Sequence, residues 1–214
     1  MTDEQSLRRN DERRLRLEGR LPPGQSVTLK FPVLDLGIHP EIDPESWELR
    51  VFGAVEQEIR LGWEAFRLLP TRKVTLDLHC VTRWSKFDTE WEGVSVQDLV
   101  KRGLIKPLAG ARHVVQHAAD GYATNLPLSV VLQDNYLLAH RYAGQPIPPE
   151  HGFPVRAVIG ALPGAPDVFT PYLWKGAKWI TSLEIVEEDR PGFWEKNGYH
   201  NEACARQEQR YSER

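Results

Sequence analysis

Short runs of two-residue periodicity recur along this chain, and no helix of regular length links one to the next. Trp47 to Phe52 (WELRVF) alternates and is closed by Gly53, which suits a strand. Val74 to His79 (VTLDLH) alternates again and delivers the chain directly to Cys80. His113 to His117, Val155 to Ile159 and Trp179 to Val186 complete the expected β content. The helical candidates between them are brief: Trp63 to Leu69, ended by Pro70, then a segment opened by Ser95, then Leu128 to Leu132. Ser95 with Asp98 makes a capping-box-like start, and Val94 with Leu99 is placed as a hydrophobic staple. With no regular βαβ rhythm, the expected class is α+β rather than a doubly wound sheet.

The 214 residues fit one large domain, or one domain with tails, and no internal repeat divides them. Hydrophobic residues make up 41% and there are seven Trp, which predicts a densely packed core. A net charge of −3 gives no reason to expect nucleic acid or an anionic membrane as partner. The two cysteines, Cys80 and Cys204, exclude a disulfide scaffold and a multi-cysteine zinc or iron–sulfur site. No apolar run approaches the ~20 residues of a membrane span. Arg8-Arg9 and Arg13-Arg14 suggest a twin-arginine signal, yet Arg16, Glu18, Arg20 and Pro22-Pro23 follow where an apolar stretch is required. We therefore expect a cytoplasmic protein with a charged arm over 1–25 and one main domain over 26–190. A wrapping segment and tail over 191–214 would be anchored by Phe193, Trp194 and Tyr199 and frayed after Cys204. The Gly160 to Pro171 segment reads as an irregular surface loop.

Four segments carry residues fit for chemistry. Cys80 follows His79 and precedes Val81-Thr82-Arg83-Trp84-Ser85. A lone cysteine at a strand end is most often a buried core residue. A nearby His and Arg would instead lower the thiol pKa and favour the thiolate, as a nucleophile or a metal ligand. Spacing does not choose between those roles. The second segment runs from Pro149 through His151 to Arg156, and the third is Trp174-Lys175-Gly176-Ala177-Lys178-Trp179. Arg, Lys and His converging from two loops, with a Gly-Ala pair open to close approach, make a candidate phosphate site. The bland reading of each charge alone is a solvated rim. The fourth segment, His117 to Leu128, holds an Asp-Gly turn and places Tyr122 and His117 either toward a pocket or in structural roles.

Taken together, these segments resemble the sulfite-oxidase-like molybdopterin oxidoreductases, in particular short bacterial members related to the catalytic subunit of the periplasmic methionine-sulfoxide reductase. The resemblance runs from Phe31-Pro32-Val33-Leu34 to Tyr199-His200-Asn201. It is carried by His79 to Ser85, Trp91-Glu92-Gly93-Val94, Glu150-His151-Gly152 to Pro154-Val155-Arg156, Trp174 to Trp179 and Pro191-Gly192-Phe193-Trp194. It implies a compact α+β fold around one molybdenum–molybdopterin per chain, with Cys80 as a soft metal ligand beside the two dithiolene sulfurs. His79, His151, Arg156, Lys175, Gly176, Ala177 and Lys178 are implied to bind the cofactor, and Cys80, Arg83 and Tyr122 to serve catalysis.

The implied activity is two-electron oxygen-atom transfer to or from a small oxo compound of the sulfite, sulfoxide or N-oxide type. An external electron donor or acceptor protein would complete the cycle. Three features depart from the family pattern. The Gly160 to Pro171 loop is long, and Ala118 stands where the reductase branch has a cofactor-contacting Thr. The dimerisation and haem domains of sulfite oxidases have no counterpart here, which predicts a monomer. Two other classes stay open on residues alone. One is a cysteine-nucleophile hydrolase or transferase using Cys80, and the other is a non-catalytic cofactor-binding module.

Overall fold

The computed structural model describes residues 11–165 and 167–212. Its strands are β1 (Ser26–Val27), β2 (Glu48–Gly53), β3 (Ile59–Gly62), β4 (Thr71–His79), β5 (Trp84–Val94), β6 (His113–Ala118), β7 (Ala123–Pro127), β8 (Tyr136–Tyr142), β9 (Gln145–Pro146), β10 (Arg156–Ile159) and β11 (Ile180–Val186). Short helices α1 (Trp63–Arg67), α2 (Val96–Lys101), α3 (Leu128–Val131) and α4 (Phe193–Lys196) lie between them. Single 3-10 turns form at Pro149–His151 and Leu173–Lys175, and residues 11–17 are helical. No helix among the described residues is long and apolar enough to cross a membrane.

Two sheets result. One runs β1-β5-β8-β10, with β4 on β5 and β9 on β8; the other runs β3-β2-β11-β6-β7. Most neighbours are antiparallel, and only β1 with β5 and β2 with β11 run parallel. This is the α+β arrangement that the missing βαβ rhythm predicts. Trp47, Leu49 and Val51 around β2, Val114 of β6 and Leu183 and Ile185 of β11 pack with Val94, Leu138, Ala157 and Ile159 of the other sheet. Phe66 and Leu99 from the helices complete that core. A second cluster of Leu76, Leu78, Trp91, Leu137, Ala139 and Val158 covers the opposite face of β8 and β10. Those two strands are therefore buried on both sides, which is why their sequences lack clean alternation.

The local start signals hold. Ser95 Oγ accepts the Asp98 N–H at 3.4 Å, and Val94 and Leu99 share one buried cluster. The eleven-residue β5 was not expected as a strand. Asp88 takes φ 52° within it and the β4–β5 register shifts between Leu76 and Leu78, so its alternation is broken. Near the other end of β5, a Cβ on Gly93 would stand 2.4 Å from Leu138 O, where β5 crosses close to β8.

Both terminal segments pack on the domain, and at the C-terminus this corrects the expectation of fraying. Arg8-Arg9 lie outside the described residues. Leu15 and Leu21 of the arm form a buried cluster with Val27 of β1, with Phe87 packed against it. Arg20 grips the buried Asp77 of β4 through two hydrogen bonds of 2.8 and 2.7 Å. The chain does not fray after Cys204. Ala205 and Arg210 are buried, Tyr199 bridges Tyr211, and Ser212 N–H bonds Gly198 O. Polar side chains concealed this pairing because the backbone makes it. The Gly160 to Pro171 loop is likewise pinned, by Ala161 against Asp77 and Pro171 against Cys204.

Candidate cofactor site

β4 ends at His79, and Cys80 begins a tight turn. Its N–H bonds Trp84 O at 2.9 Å, and Arg83 N–H returns to Cys80 O at 3.0 Å. Two distant segments hold the turn. Gln25 Nε2 donates to Cys80 O at 3.0 Å, and Arg210 Nη1 donates to Val81 O at 2.6 Å. The buried Cys80 Sγ lies 3.1 Å from Thr82 Oγ1, and burial pushes the thiol above its ordinary pKa. No imidazole bonds it. His79 points to the opposite side of the strand, with Nδ1 on Ser85 Oγ at 2.8 Å, and burial pushes its pKa down to about 3. The activated thiolate that a hydrolase would need is thus absent from this geometry.

Cys80 opens onto a cavity of about 260 Å³ that His151, Arg156, Gly176 and Lys178 also line. The turn at Pro149–His151 closes on Gly152, whose φ of 113° excludes most side chains. A Cβ there would stand 2.9 Å from Arg156 Cβ and 3.1 Å from Lys178 Cα. Gly152 thus lets the two cationic segments approach. Arg156 is 2% exposed, donates to His151 O at 3.0 Å and lies over the Trp91 ring. It has no carboxylate partner among the described residues, and burial lowers its pKa to about 10. Lys178 bonds Glu150 O at 2.9 Å and Asp35 at 3.1 Å, and burial lowers its pKa as well. The His151 ring stacks on Phe31 at 4.0 Å, and burial brings its pKa to about 4, so it is neutral near pH 7.

Other expected residues are placed differently. Lys175 is buried away from the cavity, with Nζ on Glu195 Oε1 at 2.7 Å and Asn125 Oδ1 at 2.9 Å. It is a structural ion pair, and its charge is already spent. Ala177 is buried and gives its N–H to Gln116. Arg83 is exposed, adopts φ 72° and lies outside the cavity lining, and its Nη1 stands near Gly24. Asp88, five residues further on, binds Arg20. Tyr122 does line the cavity and donates to Trp174 O at 2.6 Å, with burial holding its phenol protonated.

Sequence reasoning missed much of the wall. Phe31, Pro32, Leu34, Asp35, Leu36, Trp84, Trp174, Trp194 and Tyr199 all face the cavity. The 31–36 segment has no periodicity to read, and its role appears only when Asp35 meets Lys178 across the fold. The donor set suits an anionic group bearing a soft-ligated metal. A buried guanidinium without a carboxylate demands an anion, and a thiol beside it can become a metal thiolate.

The comparisons agree with this chemistry. Residues 36–194 match the family model described as the oxidoreductase molybdopterin binding domain. The uncharacterized oxidoreductase YuiH of Bacillus subtilis is 41% identical over 195 residues, covering 91% of this chain and 93% of that protein. The mitochondrial sulfite oxidase of Rattus norvegicus is 25% identical over 228 residues, a match covering 91% of this chain and 40% of the oxidase. The solved sulfane dehydrogenase SoxCD of Paracoccus pantotrophus shares the fold at a TM-score of 0.59 and 19% identity, over 70% of this chain and 40% of that one. The chain therefore spans less than half the length of the latter two.

Proposed function

This chain belongs to the molybdopterin-binding oxidoreductase family, and from that membership we propose that its cavity holds one molybdenum–pyranopterin with Cys80 on the metal. The observation that carries the proposal is Arg156, a buried cation without a carboxylate in the same cavity as the Cys80 thiol. Bound there, the group supplies two-electron redox chemistry coupled to oxygen-atom transfer. Arg156 would hold the anionic phosphate, joined by Lys178, which also pairs with Asp35, and Gly152 brings the two backbones together. Neutral His151, braced on Phe31, supplies a ring wall and a hydrogen-bonding nitrogen without adding charge. Gln25 and Arg210 fix the carbonyls of the Cys80 turn and so orient the thiolate. Tyr122 orients the Trp174 wall through its carbonyl.

The cavity favours a neutral oxo substrate, a sulfoxide or N-oxide, over sulfite. With Arg156 and Lys178 given to the phosphate, no positively charged residue of the lining remains for an anion, and Arg83 lies outside. Leu34, Leu36, Val81, Trp84 and Trp194 offer apolar surface instead. An external electron carrier, a monomeric state and a cytoplasmic location complete the proposal. The test is metal and pterin analysis of the purified protein together with dye-linked turnover of a neutral sulfoxide and of sulfite. Molybdenum with sulfoxide turnover is expected. Molybdenum with turnover of sulfite alone would overturn the substrate class, and protein free of pterin would overturn the cofactor.

A further inference from the structure

The outer face of the Cys80 turn carries cations that none of this chemistry uses. The segment from Gly19 to Leu29 runs along it, and β1 pairs with the start of β5 through Ser26 with Trp84 and Val27 with Ser85. Several cations close on this segment. Arg206 donates to Gly19 O at 2.6 Å, Arg16 to Gln25 O at 2.8 Å and Lys86 to Leu29 O at 2.7 Å. Arg83 Nη1 stands near Gly24, and Lys30 follows directly. None of these five has a carboxylate partner among the described residues. The neighbouring Arg14, Arg20 and Arg210 are instead matched by Glu18, by Asp77 with Asp88, and by Glu208. Glu12 accepts the Val27 N–H at 2.9 Å, and Asp11 lies 3.6 Å from Arg14. The whole chain carries −3, so a positive face is a local arrangement.

Two exposed apolar side chains stand beside these cations. Leu17 is 81% exposed and Leu29 is 80% exposed. Exposed apolar side chains beside cations without carboxylate partners give this face both apolar contact and positive charge to offer a partner. The surface is also joined to the proposed metal ligand. Gln25, in the middle of the segment, is one hydrogen bond from Cys80 O, and Arg83 is three residues beyond Cys80.

We propose that this face, built from Arg16, Lys30, Arg83, Lys86 and Arg206 around Leu17 and Leu29, docks an acidic electron-transfer protein. The inference rests on the redox reading of the cavity. Each turnover moves two electrons between substrate and cofactor, and the same two must leave to or arrive from the docked carrier, as one-electron steps for a one-electron carrier. Complementary charge accelerates such encounters and makes them salt-sensitive, and their interfaces are small.

The experiment titrates the full chain, as purified, with an acidic [2Fe–2S] ferredoxin and with a basic c-type cytochrome, by calorimetry at low and moderate salt. Binding of the ferredoxin alone is expected, weakening about tenfold or more as salt rises from 20 to 200 mM. The double variant Arg16→Glu/Arg83→Glu should bind at least about fivefold more weakly at low salt, with its circular dichroism unchanged. Lys30→Glu serves as a second surface variant should the double variant misfold. Absence of ferredoxin binding, equal binding of both carriers, or variants that bind like wild type would overturn the proposal. Cosedimentation with vesicles containing phosphatidylserine, in place of ferredoxin binding, would reassign the face to a membrane. Because the readout is binding, it is independent of the cavity. Docking by pterin-free protein would refute the function and leave the surface, whereas a molybdenum-loaded, sulfoxide-reducing protein that ignores ferredoxin would do the reverse.

Discussion

At Arg156 folding and binding pull in opposite directions. Its guanidinium is desolvated with two carbonyls and the Trp91 ring beside it and no carboxylate, an arrangement that costs stability until an anion arrives. Arg156→Met should therefore raise the melting temperature of pterin-free protein by a few degrees. Retained pterin should fall about tenfold or more, since a charge-assisted hydrogen bond contributes about 1.5–3 kcal/mol. Fluorescence of the oxidised, released pterin reads the second effect and calorimetry the first. Lys175 behaves oppositely. Lys175→Met leaves Glu195 a buried carboxylate without its cation and should cost about 3–5 kcal/mol in urea unfolding. His151 gives a pH signature. Its folded pKa of about 4 lies below the unfolded value of 6.5, so the unfolded chain takes up the proton first on acidification. Its contribution to stability is complete above about pH 6.5 and is lost as pH falls toward 4. Melting curves of His151→Gln should show a shallower decline than wild type over that window, and parallel declines would refute it.

Among the elements, the arm and the β4–β5 hairpin depend on each other. Asp77 is buried three residues before Cys80, and Arg20 supplies its countercharge while Asp88 N–H supplies a further hydrogen bond. Arg20→Ala should cost about 3–5 kcal/mol in urea unfolding by leaving that carboxylate unpaired. An effect under 1 kcal/mol would show that water reaches Asp77. The alternation of Val74 to His79 and the Ser95 cap were legible because each is a signal within one element. The arm was not, because Arg20 and Asp77 are 57 positions apart and nothing local marks either as a partner. β5 escaped for the same reason. Its irregular pattern is resolved by pairing with β4, β8 and β1, all invisible from its own residues.

For the molecule as a whole, the sequence motifs converge on one cavity but not with all their residues. Cys80, His151, Arg156, Gly176 and Lys178 meet, whereas His79, Arg83 and Lys175 share their motifs yet face elsewhere. Motif membership fixes a backbone path, and side-chain direction then depends on strand alternation and on partners from other segments such as Ser85 and Glu195. The aromatic wall and the positive outer face emerge only from the assembled chain. Whether Cys80 holds molybdenum in this cavity is read out by X-ray absorption at the molybdenum edge. Wild type and Cys80→Ser are compared, with Cys204→Ser as the control. Molybdenum is expected in wild type and in Cys204→Ser, with the same sulfur coordination. In Cys80→Ser, whatever molybdenum is retained should have one sulfur ligand fewer. Molybdenum with identical sulfur coordination in wild type and Cys80→Ser would contradict Cys80 as its ligand.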